Sequence, residues 1–394
     1  MTRPHRLRAL GAVAAASAFA VLPAVPAQAD AIRDQQWGLE ALHTDRAWQT
    51  TKGEGITVAV LDTGVDGSHP DLTGQVLEGK DFIGFGAGSG DRSWALHGTA
   101  MAGIIAGHGN GADGSEGVLG VAPEARILPG RVILESTDPS RTKARESRGT
   151  ALADGIRWAA DQGADVINLS LGDDSESAHP EPSEDAAVQY ALSKGVSVVA
   201  SAGNSGDKGD RPSYPAAYPG VIAVAAVDKY GTHAAFSTRR WYATVSAPGV
   251  DIVVANPDRH YYIEWGTSAA SAFVSGAVAL VRAAHPGLSP AQIKTLLTDT
   301  ARDAPQGGRD DARGYGLVDP AAAIEAGAEL SPAGLRAEAA AGYRKRYFGS
   351  GPDPEEEHAE PAGWLAPAAG AAGAALLALA VVLWRAGAGG PGRR

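Results

Sequence analysis

Four polar residues lying far apart in the chain could together break an acyl bond: Asp62, His97, Asn204 and Ser268. A serine hydroxyl is too weak an acid to attack a carbonyl unaided. It needs a base, and an imidazole titrates near neutrality. The imidazole in turn needs a buried carboxylate to hold its tautomer and stabilise its cation. The tetrahedral oxyanion needs donors, and an amide side chain plus the serine's own N–H would supply two. Singly, each residue is an ordinary turn former or helix cap. Together the four types fit one mechanism.

The elements that must position them follow from hydrophobic patterning. Gly266-Thr267-Ser268 opens a small, apolar run that reaches Val281. A hydroxyl in the first turn of such a helix lies in the field of its positive dipole end, beside unpaired N–H groups. Residues 56–61 form a β-branched run of strand length, apolar enough to be buried on both faces, and Asp62-Thr63-Gly64 ends it. His97-Gly98-Thr99 opens a small-residue helix over 100–106. Residues 126–133 read as a strand with Pro129 an oddity inside it. The polar stretch 135–148 reads as an exposed loop, and 151–160 as a helix with Leu152, Ile156 and Ala159 on one face.

Further strands are expected at 165–172, running into a glycine turn, at 196–200, ending at Ala202-Gly203-Asn204, and at 221–227. A helix over 184–194 separates the first two. Short apolar strands alternating with helices predict an α/β fold in three layers with a mainly parallel central sheet. In such sheets ligands bind beyond the carboxyl ends of the strands, where these polar residues fall. Ser289-Pro290 reads as N-cap and first residue of a helix to about Thr300, and an alanine helix closes the domain near Ala328.

Leu61-Asp62-Thr63-Gly64-Val65, His97-Gly98-Thr99, Ala202-Gly203-Asn204 and Gly266-Thr267-Ser268 resemble the four signature blocks of the subtilisin-like serine proteases. The order Asp, His, Ser is that of subtilisin. The resemblance covers roughly residues 37–324. It implies Ser268 as nucleophile, His97 as general base and then acid, Asp62 as its orienting carboxylate and Asn204 as oxyanion donor. It also implies that Ser170-Leu171-Gly172 pairs with substrate backbone as an added strand and shapes the primary pocket with residues 200–203, Gly203 among them.

Within that family the chain is most similar to the mycosins, membrane-anchored subtilases associated with type VII secretion in actinobacteria. The features that carry this are the Gln36-Trp37 lead-in, the absence of a long propeptide before Asp62, a proline-rich acidic linker and a C-terminal apolar segment. Two departures stand behind the nucleophile: Ala272 where the family usually has proline, and Ala269 where a bulkier residue is common.

Composition narrows the alternatives. The chain has 394 residues and a net charge of −11, which disfavours a nucleic-acid binder. It has no cysteine, which rules out thiol catalysis and disulfides. A second Asp-Thr-Gly, as a paired-aspartate protease needs, is absent, and so is His-Glu-x-x-His. Calcium is common in the resembled family, but Asp66, Asp71 and nearby acids form no convincing ligand loop. They read as solvated surface acids, and no metal or other cofactor is expected.

The ends concern address. Residues 1–29 carry Arg3, Arg6 and Arg8, then an alanine-rich run closed by Ala27-Gln28-Ala29, the pattern of a secretory signal peptide. The peptidase domain is expected over 30–329 and a Pro/Glu/Gly-rich linker over 330–362. An uncharged segment edged by Trp364 and Trp384 is expected to span a membrane over 363–384, with a short cytoplasmic tail over 385–394. The domain between would face outward, with polypeptides as substrates. Its expected associate is a type VII secretion membrane complex. The rival from another class is a scaffold that clamps that complex, with proteolysis secondary.

Overall fold

The computed structural model describes residues 32–111 and 113–332. The signal peptide, most of the linker, the membrane segment and the tail lie outside the described residues.

The strands in chain order are β1 (Thr57–Asp62), β2 (Lys80–Asp81), β3 (His108–Asn110), β4 (Glu116–Leu119), β5 (Arg126–Arg131) and β6 (Val166–Leu169). They continue with β7 (Ser197–Ser201), β8 (Ile222–Val227), β9 (Ala243–Pro248), β10 (Ile252–Ala255) and β11 (Tyr261–Glu264). The helices are α1 (Trp37–Ala41), α2 (Thr44–Ala47), α3 (Leu96–Ala106), α4 (Arg141–Ser147), α5 (Ala151–Asp161), α6 (Pro182–Ser193), α7 (Thr267–Ala284), α8 (Pro290–Asp299) and α9 (Pro320–Gly327).

Seven strands form one sheet in the order β2-β5-β1-β6-β7-β8-β9, with every pairing parallel. The order reverses around β1: β5 lies on one side of it and β6 on the other. That reversal makes a crevice at the strands' carboxyl ends, where an open α/β sheet binds ligands.

Alternation along each strand supplies two cores. Val58 and Val60 face one side with Val199, Ile222 and Val224, and are covered by α3 and α7. Ala59 and Leu61 face the other side with Ile167 and Val198, and are covered by α5 and α6. Each fully buried valine or leucine contributes about 1.5–3 kcal/mol. The small residues of α7 let it press close: a Cβ at Gly276 would stand 2.5 Å from Val121 Cβ. This helix is long and apolar enough to cross a bilayer, but it is the buried spine of the domain.

The Pro129 oddity has a physical explanation. Ile127 N donates to Gln75 O and Arg131 O accepts from Phe82 N, so odd-numbered residues of β5 turn toward the β2 side. Strand β2 pairs only from Gly130 onward, so the donor that proline lacks would face a place with no strand partner.

Two expectations are corrected. The stretch 135–148 is not simply an exposed loop, because it contains α4 and buries two carboxylates. Asp138 accepts from Ala87 N at 2.8 Å and Ser140 N at 2.7 Å, and Glu135 from His97 N at 2.9 Å. Nor is Asp71 a solvated acid. It is fully buried and accepts from Val118 N at 2.9 Å and from Asn110 Nδ2. In both cases a distant backbone N–H replaces the water a carboxylate would otherwise keep.

Candidate active site

Strand β1 ends in Asp62, which is fully buried and accepts from Thr63 N at 2.7 Å. The first turn of α3 is pressed onto that strand end. A Cβ at Gly98 would stand 1.9 Å from Gly64 O, so only glycine permits the approach. Gly98 N then donates to Thr63 Oγ1 at 3.1 Å. This contact brings His97 Nδ1 to 2.9 Å from both carboxylate oxygens of Asp62. With Nδ1–H engaged, Nε2 is the free basic atom.

Burial alone pushes the His97 imidazole down. The charge of Asp62 and its hydrogen bond overcome this, with help from Glu264 and Glu135, and the imidazole rises to about 9. The ring is 28% exposed, so solvent screens part of each charge.

Ser268 lies in the first turn of α7. Its Oγ donates to Ser170 O at 3.1 Å and makes no hydrogen bond to His97. The expected row is therefore closed at its acid–imidazole half and open at its imidazole–alcohol half. Catalytic hydrogen bonds commonly tighten only when substrate is bound.

Behind the nucleophile lies a buried polar network. Ser170 Oγ donates to Ser268 O at 2.8 Å and lies 2.8 Å from Ser271 Oγ. Asn168 Nδ2 donates to Ser170 Oγ at 2.9 Å, and Ser275 Oγ donates to Asn168 Oδ1 at 2.9 Å. The side chain of Ser170 is thus turned into the scaffold of α7, while the residue, whose backbone is expected to pair with substrate, still lines the cleft.

Asn204 follows β7. Its Oδ1 accepts from Thr267 N and Thr267 Oγ1, both at 3.0 Å, which fixes which way the amide faces. A methyl placed on Gly266 would lie 3.7 Å from Asn204 Nδ2, 3.7 Å from Ser268 N and 4.0 Å from Ser268 Cβ. Asn204 Nδ2 and Ser268 N thus both stand 3.7 Å from one point beside the serine. Gly266 has φ +152° there, a conformation that side chains rarely adopt.

His97 and Ser268 open onto a cleft of about 820 Å³ that Leu171, Gly172, Gly203 and Asn204 also line. Gly172 and Gly203 are bare because Ser213 backs them: a Cβ at Gly172 would stand 2.5 Å from Ser213 Oγ. Among the described residues no group of three or more histidines or acids is placed to hold a metal ion.

Sequence reasoning missed Glu135, Glu264, Thr267 and Ser213. Thr267 sits inside the Gly-Thr-Ser block and could have been found there. Glu135 and Ser213 reach the site from remote segments and carry no local signal, and Glu264, though four residues before Ser268, stands in no recognisable motif.

Fold and site define a serine hydrolase that places an aspartate, a histidine and a serine at the carboxyl edge of a parallel sheet. The chain belongs to the subtilase family, whose model matches residues 53–316. It is 43% identical over 269 residues to the thermophilic serine proteinase of Bacillus sp. (strain AK1), covering 68% of this chain and 61% of that protein. It is 38% identical over 320 residues to fervidolysin of Fervidobacterium pennivorans, covering 75% of this chain and 44% of that protein. The chain thus spans roughly half the length of these two relatives. A solved structure of MycP1 from the ESX-1 type VII secretion system superposes with a TM-score of 0.63 at 32% identity, covering 73% of this chain and 85% of that one.

Proposed function

We propose that this chain is a membrane-tethered serine endopeptidase acting outside the cytoplasm, associated with type VII secretion. The observation that carries the peptidase reading is the fully buried Asp62 holding His97 Nδ1 at 2.9 Å beside Ser268 and two N–H donors that stand 3.7 Å from one point. Ser268 Oγ leaves Ser170 O and gives its proton to His97 Nε2 as it bonds to the substrate carbonyl carbon. Asp62 stabilises the imidazolium. Ser268 N and Asn204 Nδ2 donate to the oxyanion. When the C–N bond breaks, His97 Nε2–H passes to the leaving amine. Water, deprotonated by the same nitrogen, then hydrolyses the acyl-enzyme.

The link to secretion is supported by likeness to MycP1, and the membrane tether by the uncharged run between Trp364 and Trp384. No metal or other cofactor enters these steps. Comparing the full-length protein with Ser268→Ala tests the reading. Wild type should cleave an unstructured polypeptide, and the variant should lose activity by about a million-fold, as in subtilisin. Equal cleavage by the two would refute it. Secretion retained by the Ser268→Ala strain would point to a separate scaffolding role.

A further inference from the structure

Asn204 stands in a turn whose backbone N–H groups are all held by remote segments. Gly203 N donates to Thr267 Oγ1 at 3.2 Å and Asn204 N to Asp174 Oδ2 at 2.9 Å. Ser205 N donates to Thr238 Oγ1 at 3.2 Å and Gly206 N to Phe236 O at 2.8 Å. The acceptors come from α7, from the loop after β6 and from the loop after β8. Asp174 is the charged one among them, and a carboxylate accepts more strongly than a hydroxyl or a carbonyl. Thr267 and Thr238 are fully buried, whereas Asp174 is partly buried and lines the cleft.

An amide serves an oxyanion only if it is held to within about 0.5 Å of the productive position. The Asn204 side chain is fixed at Oδ1 by Thr267 N and Thr267 Oγ1. Its backbone is fixed at N by Asp174. Between these two anchors Nδ2 makes no hydrogen bond among the described residues, so it is left for the substrate. Asp174 is itself held in place by its neighbours. Asp173 N donates to Tyr214 O at 2.9 Å, Tyr214 N donates back to Asp173 O at 3.2 Å, and Ser175 N donates to Asp173 Oδ1 at 3.0 Å. A carboxylate has the same sign of charge as the oxyanion and does not stabilise it directly. Its contribution is made through the Asn204 backbone.

We infer that Asp174 is a positioning residue for the oxyanion site: through the Asn204 N–H it sets where Asn204 Nδ2 stands when the tetrahedral intermediate forms. This rests on the peptidase reading and adds a residue outside the four that carry the chemistry. The bond ties the loop after β6 to the turn after β7, both of which line the cleft.

The test is a double-mutant cycle on the full-length protein, with a peptide that wild type cleaves. Asp174→Ala should lower kcat by about ten- to a hundredfold with KM little changed. Asp174→Asn keeps an oxygen for the same N–H and should lose no more than about threefold. In an Asn204→Ala background there is no amide left to place, so Asp174→Ala should cost less than about twofold more. The inference is overturned by a wild-type kcat in Asp174→Ala, by a rise in KM with intact kcat, or by Asp174→Asn as poor as Asp174→Ala. It is also overturned if the loss repeats in full in the Asn204→Ala background. Thermal unfolding checks that each variant is folded at the assay temperature. If Asp174→Ala is not, Asp174→Ser takes its place, its hydroxyl one bond too short to reach, with the same losses expected and an unchanged kcat counting against the inference. Failure of wild type to cleave any peptide would overturn the peptidase reading and this inference with it, whereas cleavage by wild type with fully additive losses overturns this inference alone.

Discussion

Ser170 and Ser268 hold each other reciprocally: Ser268 Oγ donates to Ser170 O at 3.1 Å, and Ser170 Oγ donates to Ser268 O at 2.8 Å. The first bond parks the nucleophile, and the second ties the first turn of α7 to the end of β6. Ser170→Ala keeps the first and deletes the second, leaving Asn168 Nδ2 without its acceptor. The expected result is a stability loss of about 1–3 kcal/mol. A modest fall in kcat with KM little changed should accompany it. Thermal unfolding and steady-state kinetics measure both, and a variant equal to wild type in each would show that the network does not position Ser268.

The pH profile should carry the signature of His97. The imidazole must be neutral to accept the serine proton, so kcat/KM should rise with pH. Its limb should lie above the ordinary 6.5 and toward about 9. Glu135→Gln keeps an oxygen to accept from His97 N but removes a charge, so the limb should move to lower pH. A wild-type limb at or below 6.5, or one unmoved by the substitution, would contradict the electrostatics. The same shift affects folding. A group whose affinity for protons is raised in the folded state contributes stability below pH 6.5. That contribution is lost as pH rises toward about 9.

Gly266→Ala should damage the oxyanion site directly. Its methyl would occupy the point 3.7 Å from both donors, on a backbone with φ +152°. Asn204→Ala removes one donor and should lower kcat by roughly a hundred- to a thousandfold with little change in KM. Gly266→Ala should lose at least as much. A large rise in KM with intact kcat in Asn204→Ala would reassign that amide to substrate binding.

Much of this arrangement was legible in the sequence because it rests on local signals. Residues 56–61 are apolar on both faces, as a central parallel strand must be, and Asp62 ends the strand within one residue of the expected boundary. Ser289-Pro290 marks a real N-cap: Ser289 Oγ accepts from Gln292 N at 3.2 Å. The edge strand β2, the β3–β4 and β10–β11 hairpins and β9 were not foreseen. The first of these are short, or carry exposed residues such as Ile263, at 53%, without the expected alternation, whereas β9 is fully buried but its run of Thr244, Ser246 and Pro248 lacks a continuous apolar signal. The largest misreading, at 135–148, took charge for exposure. Glu135 and Asp138 are buried because they cap N–H groups 38 and 51 residues away, a pairing no local window can see.

The central claim is that Asp62 and His97 make Ser268 a nucleophile facing two oxyanion donors. Mass spectrometry of the folded protein after treatment with a fluorophosphonate tests it most directly. One adduct on Ser268, strongly slowed by His97→Ala, is the predicted result. An unmodified Ser268 in folded wild-type protein, or labelling that proceeds equally fast without the imidazole, would contradict it.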